Sequence, residues 1–439
     1  MRPSTIVALS TPPGYSGLAI VRLSGPYCLQ VLAQELKCPK VEDRRVKYGG
    51  FYHTKTKQKI DSLNYVYMKA PRTSTGEDVL EIFPHGNPLI IRQIIESLLN
   101  HKEVCLAEAG EFTRRSLENG KLDLIQAEAV GQIIHAQNEG ALKNAQKLLN
   151  SELSKPLNEL AEQLTHISIQ LELDVDFVEE EAEPDYSSWE LRIVGIKQKI
   201  ESLCLTWERG KKLNKEIKIA LYGKPNAGKS SLINAILNQD RLIVSQKAGT
   251  TRDYVEVSVN LEGGRVLFVD TAGVGQAIDE IDQAAMEKTR QILTEVDYRV
   301  SLVDGSAGDS DLLDSETGYD LQVYTKSDLP AFSKNTGALG VSSRTGEGVS
   351  ELLKIINQAV FAESENKDEI LISTERQYQC LTKSLHCVNR ALTLLAENPA
   401  VELLAFELRE ARNHLAELIG EYQPDEVLNK LFSGFCIGK

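Results

Sequence analysis

The sequence predicts a multidomain protein that combines α/β and all-α architecture, with one α/β module inserted between two halves of a helical domain. Three observations support this prediction. A chain of 439 residues is long enough for about three domains. A strand, a glycine-rich turn and a helix follow one another near its middle. Apolar stripes with helical spacing occur on both sides of that segment, so the helices before and after it are expected to pack together.

The N-terminal region, residues 1–118, is predicted to be a compact α/β domain. Thr5–Ser10 and Leu18–Leu23 are short apolar runs on either side of a Pro-Pro-Gly turn, which is typical of two strands. Arg22 and Glu81 stand in or near such strands. Taken alone, these two charged residues are typical of the surface of a half-buried sheet.

The helical region is predicted to come from two sequence segments, residues 119–215 and 363–439, with residues 216–362 inserted between them. The acidic run Val178–Asp185 separates two long helices and is expected to be a solvated loop rather than a metal site. Spacings of three and four residues indicate buried helix faces. The stripes are Leu153, Leu157, Leu160, Leu164, Ile167 and Leu171, then Leu404, Leu408, Ala411, Leu415 and Leu418.

The glycine-rich turn, Gly223–Ser230, has the pattern G-x-x-x-x-G-K-[ST] and lies between a predicted strand and a predicted helix. Backbone N–H groups in such a turn surround a phosphate, next to the positive end of the helix. Lys229 is positioned to reach the β- and γ-phosphates, and the hydroxyl of Ser230 to bind Mg²⁺. The alternative is an ordinary glycine turn before a helix, which the Lys-Ser pair disfavours. We therefore predict a nucleotide-phosphate site.

The identity of the nucleotide base is predicted from the residues that follow two later strands. Val266–Val269 is an apolar run that leads into Asp270, a carboxylate suited to hold Mg²⁺ through water. The run Leu321–Tyr324 leads towards Asp328, which can accept hydrogen bonds from N1–H and the 2-amino group of guanine, and adenine offers neither. We therefore predict that the nucleotide is GTP. GTPases usually carry Asn where this chain has Thr325, so weaker base affinity is expected.

Composition and charge narrow the cellular setting. The net charge of −14 predicts poor nonspecific affinity for nucleic acid. Seven scattered cysteines without a C-x-x-C pair favour reduced thiols in a cytoplasmic protein over a disulfide framework or a zinc site. No signal peptide and no membrane-spanning apolar run are recognisable. Prenylation of Cys436 is disfavoured because Gly438 and Lys439 do not fit that signal.

Further motifs make a family resemblance specific. The phosphate loop, the segment 248–253 and the segment 270–273 resemble the TrmE–Era class of P-loop GTPases. Other motifs extend the resemblance over essentially the whole chain to the MnmE (TrmE) family of tRNA-modification GTPases. These motifs occupy residues 5–8, 11–14, 76–81, 110–113, 121–124, 126–129 and 435–439.

The resemblance implies a folate-binding N-terminal domain that forms a homodimer, a helical domain and a Ras-like G domain. It implies that an FAD-dependent partner, MnmG (GidA), joins the dimer in a heterotetramer. The two proteins would add a (carboxymethyl)aminomethyl group to C5 of the wobble uridine of certain tRNAs. The one-carbon donor would be 5-formyl- or methylene-tetrahydrofolate. Arg22, Glu81, Lys121 and Lys439 would hold the folate, with Cys436 near the chemistry. The alternative is a regulatory ribosome-assembly GTPase of the Era type without tRNA chemistry.

The resemblance also implies a hydrolytic site that uses K⁺ when two G domains pair. Oxygens of Asn226, Ser245, Lys247 and Thr250 are expected to ligate K⁺ in place of an arginine finger, with Arg252 as the alternative finger. Ser230 and Thr251 would bind Mg²⁺. Lys229 and Asp282 would be catalytic, although Asp282 replaces a Glu of the family and predicts slower hydrolysis. The expected GTP-binding set is Asn226, Ala227, Gly228, Lys229, Ser230, Ser231, Ser245, Gln246, Lys247, Ala248, Gly249, Thr250, Thr251, Asp270, Thr271, Ala272, Gly273, Thr325, Lys326, Asp328, Ser342, Ser343 and Arg344.

Overall fold

The fold is taken from a computed structural model. It describes residues 4–38, 40–176, 186–214, 217–224, 226–238, 244–246, 256–261, 264–270, 293–307, 318–332, 339–361, 369–397, 401–421 and 425–438. The chain divides into two compact units, each formed from more than one stretch of sequence. The first unit comprises Met1–Ile134, Lys147–Ile196 and Lys383–Lys439, and the second comprises His135–Gln146 and Lys197–Thr382.

The N-terminal part of the first unit is a six-stranded sheet covered by helices. Its strands are β1 (Thr5–Leu9), β2 (Val21–Ser24), β3 (Lys47–Tyr52), β4 (Lys59–Met68), β5 (Val79–Phe83) and β6 (Val104–Leu106), in the spatial order β3-β4-β5-β2-β1-β6. The helices are α1 (Cys28–Gln34), α2 (Pro88–Leu98) and α3 (Glu111–Glu118). In the antiparallel pair of β2 and β5, Arg22 lies directly opposite Glu81.

The predicted strand Leu18–Leu23 is wrong at its start, because β2 begins at Val21. The preceding residues are still hydrogen-bonded to their neighbours, since the N–H of Ser10 donates to the carbonyl of Ile20 at 2.8 Å. The N–H of Ala19 donates to Pro84 at 2.9 Å. These bonds continue the register of β2 with β1 and β5 beyond the start of the regular strand, so the backbone groups are satisfied there as well.

Two long helices pack together through their apolar faces in the first unit. α4 (Leu124–His135), α5 (Glu139–Leu149), α6 (Ser154–Asp176), α7 (Tyr186–Leu205) and α8 (Trp207–Asn214) follow the sheet. α6 packs against a later helix, Val401–Ile419. Both predicted stripes are buried along this contact, so the helical prediction is confirmed there. None of the described helices is long and apolar enough to cross a membrane.

The second unit contains a seven-stranded sheet. Its strands are β7 (Ile217–Gly223), β8 (Val244–Gln246), β9 (Glu256–Asn260), β10 (Arg265–Asp270), β11 (Tyr298–Asp304), β12 (Leu321–Thr325) and β13 (Leu339–Gly340), in the order β13-β12-β11-β7-β10-β9-β8. α9 (Lys229–Leu237) and α10 (Val349–Phe361) contribute to its apolar core. β7, β10, β11, β12 and β13 run parallel. The carboxyl ends of these strands therefore meet at one edge, where ligands bind in open α/β sheets.

The chain then completes its helices with α11 (Glu375–Ala396), α12 (Val401–Ile419) and α13 (Asp425–Ser433). Within the second unit, helices that precede the sheet contact the segment that follows it, near Leu371 and Ile372. The side-chain amide of Asn144 donates to the carbonyl of Leu371 at 3.0 Å, and its oxygen accepts from the N–H of Leu371 at 2.9 Å. A Cβ built on Gly210 would lie 1.9 Å from the carbonyl oxygen of Ile372. The backbone of α8 therefore packs directly on this returning segment.

Candidate functional site

The phosphate loop joins the carboxyl end of β7 to the first residue of α9. Asn226 and Gly228 have φ angles of 67° and 87°, in the left-handed region. Glycine adopts this conformation without strain, and Asn is one of the side chains that tolerate it best. A Cβ built on Gly223 would lie 2.4 Å from the carbonyl oxygen of Leu302. The glycine at the start of the loop is therefore required by close packing against β11.

Lys229 is buried at the start of α9. Its ammonium donates to the carbonyls of Gly223 and Lys224, at 3.1 and 3.0 Å. Burial lowers the pKa of Lys229 because it disfavours the charged form, and the charge of Asp270 partly opposes that shift. The lysine thus closes the loop on itself and supplies the positive charge that an anion in the loop requires.

Ser230 and Asp270 meet across the opening of the loop. The hydroxyl of Ser230 donates to Oδ2 of Asp270 at 2.7 Å, which connects the first turn of α9 to the carboxyl end of β10. Hydroxyl and carboxylate oxygens are ligands that Mg²⁺ prefers, usually with several waters retained. The pair therefore fits the Mg²⁺ site that the sequence predicts at these two residues.

A cavity of about 400 Å³ lies beside the phosphate loop, within the size range of small-molecule sites. Asp328 is one of its lining residues, and Oδ1 of Asp328 accepts a hydrogen bond from Ser342 Oγ at 2.7 Å. That bond fixes the carboxylate in the cavity. The lining residues are Gly228, Ser231, Thr325, Lys326, Asp328, Leu329, Ser343 and Arg344. All but Leu329 belong to the predicted GTP-binding set.

Thr325, which stands where GTPases usually carry Asn, connects the cavity to the phosphate loop. Its side chain is buried, and Oγ1 lies 2.9 Å from the carbonyl oxygen of Ala227 and 3.2 Å from that of Val303. A hydroxyl has one proton, so it donates to one of these carbonyls at a time. Sequence reasoning treated Thr325 as a loss and did not identify this contact with the phosphate loop.

Several predicted site residues lie outside what the structure describes. The backbone of Ser245 and Gln246 belongs to β8, but their side chains are not described. The predictions for the K⁺ loop, the second Mg²⁺ hydroxyl and the catalytic carboxylate therefore remain predictions. The residues outside the described ranges are Lys247, Ala248, Gly249, Thr250, Thr251, Thr271, Ala272, Gly273, Asp282 and the alternative finger Arg252.

In the first unit, part of the predicted folate set lies beside the C-terminal tail. Arg22 Nε donates to Glu81 Oε1 at 2.8 Å, and Arg22 Nη1 donates to the carbonyl of Gly438 at 3.5 Å. Ser10 Oγ donates to the same carbonyl at 3.0 Å, and Ala109 forms a β-bridge with Ile437. The tail is therefore docked on the N-terminal domain.

The other members of this set are placed differently. Lys121 is exposed and its side chain packs over Gly76, since a Cβ built there would lie 3.1 Å from Lys121 Cε. Lys439 lies outside the described residues, and the neighbouring Cys436 is exposed. Ser10 was missed by sequence reasoning, because a serine 428 residues from its partner gives no signal in the sequence.

Comparisons with known proteins agree with the resemblance seen in the motifs. A family model described as "GTP-binding protein TrmE N-terminus" matches residues 5–121, and one described as "MnmE helical domain" matches residues 124–436. The chain belongs to the MnmE family. The family resemblance and the predicted fold class, an N-terminal α/β domain, a helical domain and a P-loop G domain, are thereby confirmed.

Curated MnmE relatives match the chain over its full length. A protein named "tRNA modification GTPase MnmE" from Syntrophus aciditrophicus is 34% identical over 458 residues and covers 100% of both chains. One of the same name from Aquifex aeolicus is 35% identical over 455 residues and covers 99% of both. The solved FeoB G-domain from Methanococcus jannaschii is 24% identical, with a TM-score of 0.27, and covers 33% of this chain and 98% of that chain. The strand order of the second sheet and the match to the family models support the fold.

Proposed function

We propose that this MnmE family member is a GTP hydrolase that acts in modification of the wobble uridine of tRNA. The observation that carries the proposal is the position of two sites at one edge of the second sheet. The phosphate loop holds Lys229 and Ser230, and the adjoining cavity holds Asp328. The hydroxyl of Thr325 connects the two sites through Ala227. This arrangement suits a nucleoside triphosphate whose base is read by a carboxylate.

Guanine selection is proposed to come from Asp328. One of its oxygens is held by Ser342, which fixes the plane of the carboxylate in the cavity. A carboxylate accepts hydrogen bonds from N1–H and the 2-amino group of guanine, and adenine would leave it without these donors. Mg²⁺ would be held by Ser230 directly and by Asp270 through water, with Thr251 as the second hydroxyl. When bound, the ion neutralises charge that develops on the phosphates.

Hydrolysis is proposed to depend on K⁺ and on pairing of two G domains. The left-handed backbone of Asn226 places this residue on the rim of the phosphate loop, where its side chain is exposed. A side-chain carbonyl there can contribute to a cation site beside the β- and γ-phosphates, together with oxygens of Ser245, Lys247 and Thr250. Asp282 is proposed to orient the attacking water. Charge neutralisation by such a cation would replace an arginine finger, which is worth roughly 10³–10⁵ in rate.

The N-terminal domain is proposed to bind 5-formyl- or methylene-tetrahydrofolate. Arg22 and Glu81 offer a cation and a carboxylate beside the docked tail, complementary to the anionic and guanine-like parts of a folate. Lys121 and Lys439 would supply further positive charge. Cys436 is exposed in the same tail and would lie near the transferred carbon. Loss of folate binding in an Arg22→Ala, Glu81→Ala double variant, measured by calorimetry, tests this assignment.

The domain boundaries and partners follow the same proposal. Residues 1–118 would form a homodimer, residues 119–215 and 363–439 the helical domain, and residues 216–362 the G domain. The FAD-dependent partner MnmG (GidA) would complete a heterotetramer in the cytoplasm. Because the chain has a net charge of −14, much of the tRNA-binding surface would come from that partner.

The decisive experiment is nucleoside analysis of tRNA from cells that lack this gene. We expect the (carboxymethyl)aminomethyl group at C5 of the wobble uridine to be lost, and to return with a plasmid copy of the gene. A copy with Lys229→Ala serves as the control for GTP hydrolysis. Wobble uridines that stay unchanged in the deletion strain would contradict the tRNA function and favour a regulatory GTPase instead.

A further inference from the structure

Asp304, the last residue of β11, forms an ion pair with a residue that lines the base cavity. Oδ2 of Asp304 pairs with the ammonium of Lys326, and Lys326 lines the cavity. Oδ1 accepts from the N–H of Ser306 at 3.0 Å and from its hydroxyl at 2.6 Å. Both oxygens of the carboxylate therefore have donors, and the side chain of Asp304 is only 15% exposed.

The backbone around Lys326 brings it back towards β11. Lys326 has a φ angle of 61°, in the left-handed region that non-glycine residues rarely adopt. The backbone carbonyl of the preceding residue, Thr325, accepts a hydrogen bond from the N–H of Gly305 at 3.1 Å. The next turn is closed by the N–H of Leu329, which donates to the carbonyl of Lys326 at 3.1 Å. The ends of β11 and β12 are thus joined by main chain as well as by the ion pair.

We infer that Asp304 is a positioning residue for recognition of the purine base. By holding the ammonium of Lys326 at the end of β11, Asp304 keeps the methylene chain of Lys326 extended along the cavity wall. Lysine methylenes provide an apolar surface while the charged end stays in a polar environment. A flat ring in the cavity then packs against this chain while its edge meets Asp328. The inference rests on the proposed function, because it assumes that the cavity holds guanine.

The charge state of Asp304 agrees with this role. Burial acts to raise the pKa of Asp304, but hydrogen bonds from Lys326 and Ser306 outweigh burial, and the resulting pKa is lowered. The carboxylate is therefore ionised at neutral pH and can anchor the ammonium. Asp320 provides a matched control. It accepts from the N–H of Arg299 at 2.8 Å and from Arg299 Nε at 3.3 Å, and it is not among the residues that line the cavity.

A double-mutant cycle on GDP affinity tests the inference. The full-length chain is compared with Asp304→Asn, Lys326→Met and the double variant, by titration with a fluorescent GDP analogue. We expect Asp304→Asn to weaken GDP binding roughly ten-fold, the size expected for loss of one charge-assisted hydrogen bond. In the Lys326→Met background, the same change should alter affinity by less than about two-fold, since Asp304 would have no ammonium left to hold. Asp320→Asn should leave affinity unchanged.

Other results would contradict either the role of Asp304 or the proposed function. Equal GDP affinity of Asp304→Asn and the wild type would overturn the inference while GTP binding stands. Equal weakening in both backgrounds would also overturn it, because Asp304 would then act on the fold and not through Lys326. Failure of the wild-type chain to bind GDP would refute the proposed function itself. If Asp304→Asn does not fold, Asp304→Glu keeps the charge and should retain affinity within about three-fold. A larger loss in that variant would contradict the anchoring role.

Discussion

Replacement of Thr325 by valine tests the connection between the base cavity and the phosphate loop. Valine keeps the branched shape of a buried side chain and removes only the hydroxyl. That hydroxyl lies 2.9 Å from the carbonyl oxygen of Ala227 and 3.2 Å from that of Val303. A methyl group of valine would stand where Oγ1 now lies, closer to the carbonyl oxygen of Ala227 than ordinary carbon–oxygen contact, so that carbonyl must move slightly away. The change therefore removes a hydrogen bond and leaves the remaining adjustment to a small local shift of the phosphate loop.

The magnitude follows from the single proton of the hydroxyl. Only one of the two carbonyls receives it at a time, so the net loss is one neutral hydrogen bond, worth about 1 kcal/mol. Leaving a buried carbonyl without its donor raises the cost to about 1–3 kcal/mol. The hydrogen bond joins the end of β12 to the phosphate loop, so its loss lowers the free energy of unfolding and, by loosening the loop, the affinity for nucleotide. We expect the free energy of unfolding to fall by about 1–2 kcal/mol and GDP affinity to fall roughly five-fold.

Two assays separate the effect on stability from the effect on nucleotide affinity. Urea unfolding reports the free energy of unfolding, and titration with a fluorescent GDP analogue reports affinity. Thr325→Ser is the matched control, because it keeps the hydroxyl and removes a methyl group. It should lose about 1 kcal/mol of stability and bind GDP like the wild type. The reasoning is refuted if Thr325→Val binds GDP as tightly as the wild type with unchanged stability, or if Thr325→Ser loses as much affinity.

The remaining predictions concern the base, the cation and the tail. Asp328→Asn should shift preference from GTP towards xanthosine triphosphate, measured by competition binding, whereas strong ATP binding by the wild type would contradict the role of this carboxylate. Asn226→Ala should remove the advantage of KCl over NaCl in phosphate release at matched ionic strength, and equal wild-type rates in both salts would exclude a K⁺ site. Gly438→Ala should displace the tail, because its φ angle is 95° and a Cβ would lie 2.3 Å from the carbonyl oxygen of Leu9. Calorimetry should then show at least about ten-fold weaker folate binding, and unchanged affinity would separate the tail from the folate site.

The parts of the fold that the sequence predicted best depend on local patterns. The phosphate loop is recognisable because the strand, the glycines and the helix start within 20 residues, each with its own signal. The position of Asp328 in the same site as Gly228 followed from topology, since the carboxyl ends of parallel strands meet at one edge. The stripe from Leu153 to Leu171 predicted a buried helix face, because helical spacing repeats regardless of the partner.

The parts that escaped prediction depend on contacts between distant residues. β3, Lys47–Tyr52, contains two adjacent glycines and has little apolar alternation, so its pattern does not indicate a strand. The Asn144–Leu371 pair consists of a side-chain amide that replaces a backbone partner, and Asn gives no sign of this in sequence. Ser10 and Gly438 meet only after the tail has docked. These contacts are set by tertiary packing rather than by local propensity.

Thr325 illustrates why a departure from a motif requires the structure for its interpretation. From sequence, the missing Asn implies one fewer polar group at the base and hence weaker affinity. The structure separates two roles of a residue at this position, contact with the phosphate loop and contact with the base. One role, contact with the phosphate loop, is filled here, because the hydroxyl of Thr325 reaches the carbonyl of Ala227. What a hydroxyl directed at Ala227 does not supply is an additional amide donor for the ligand. Any weakness in base affinity should therefore arise from contacts with the nucleotide, while the relative position of the loop and the cavity is preserved.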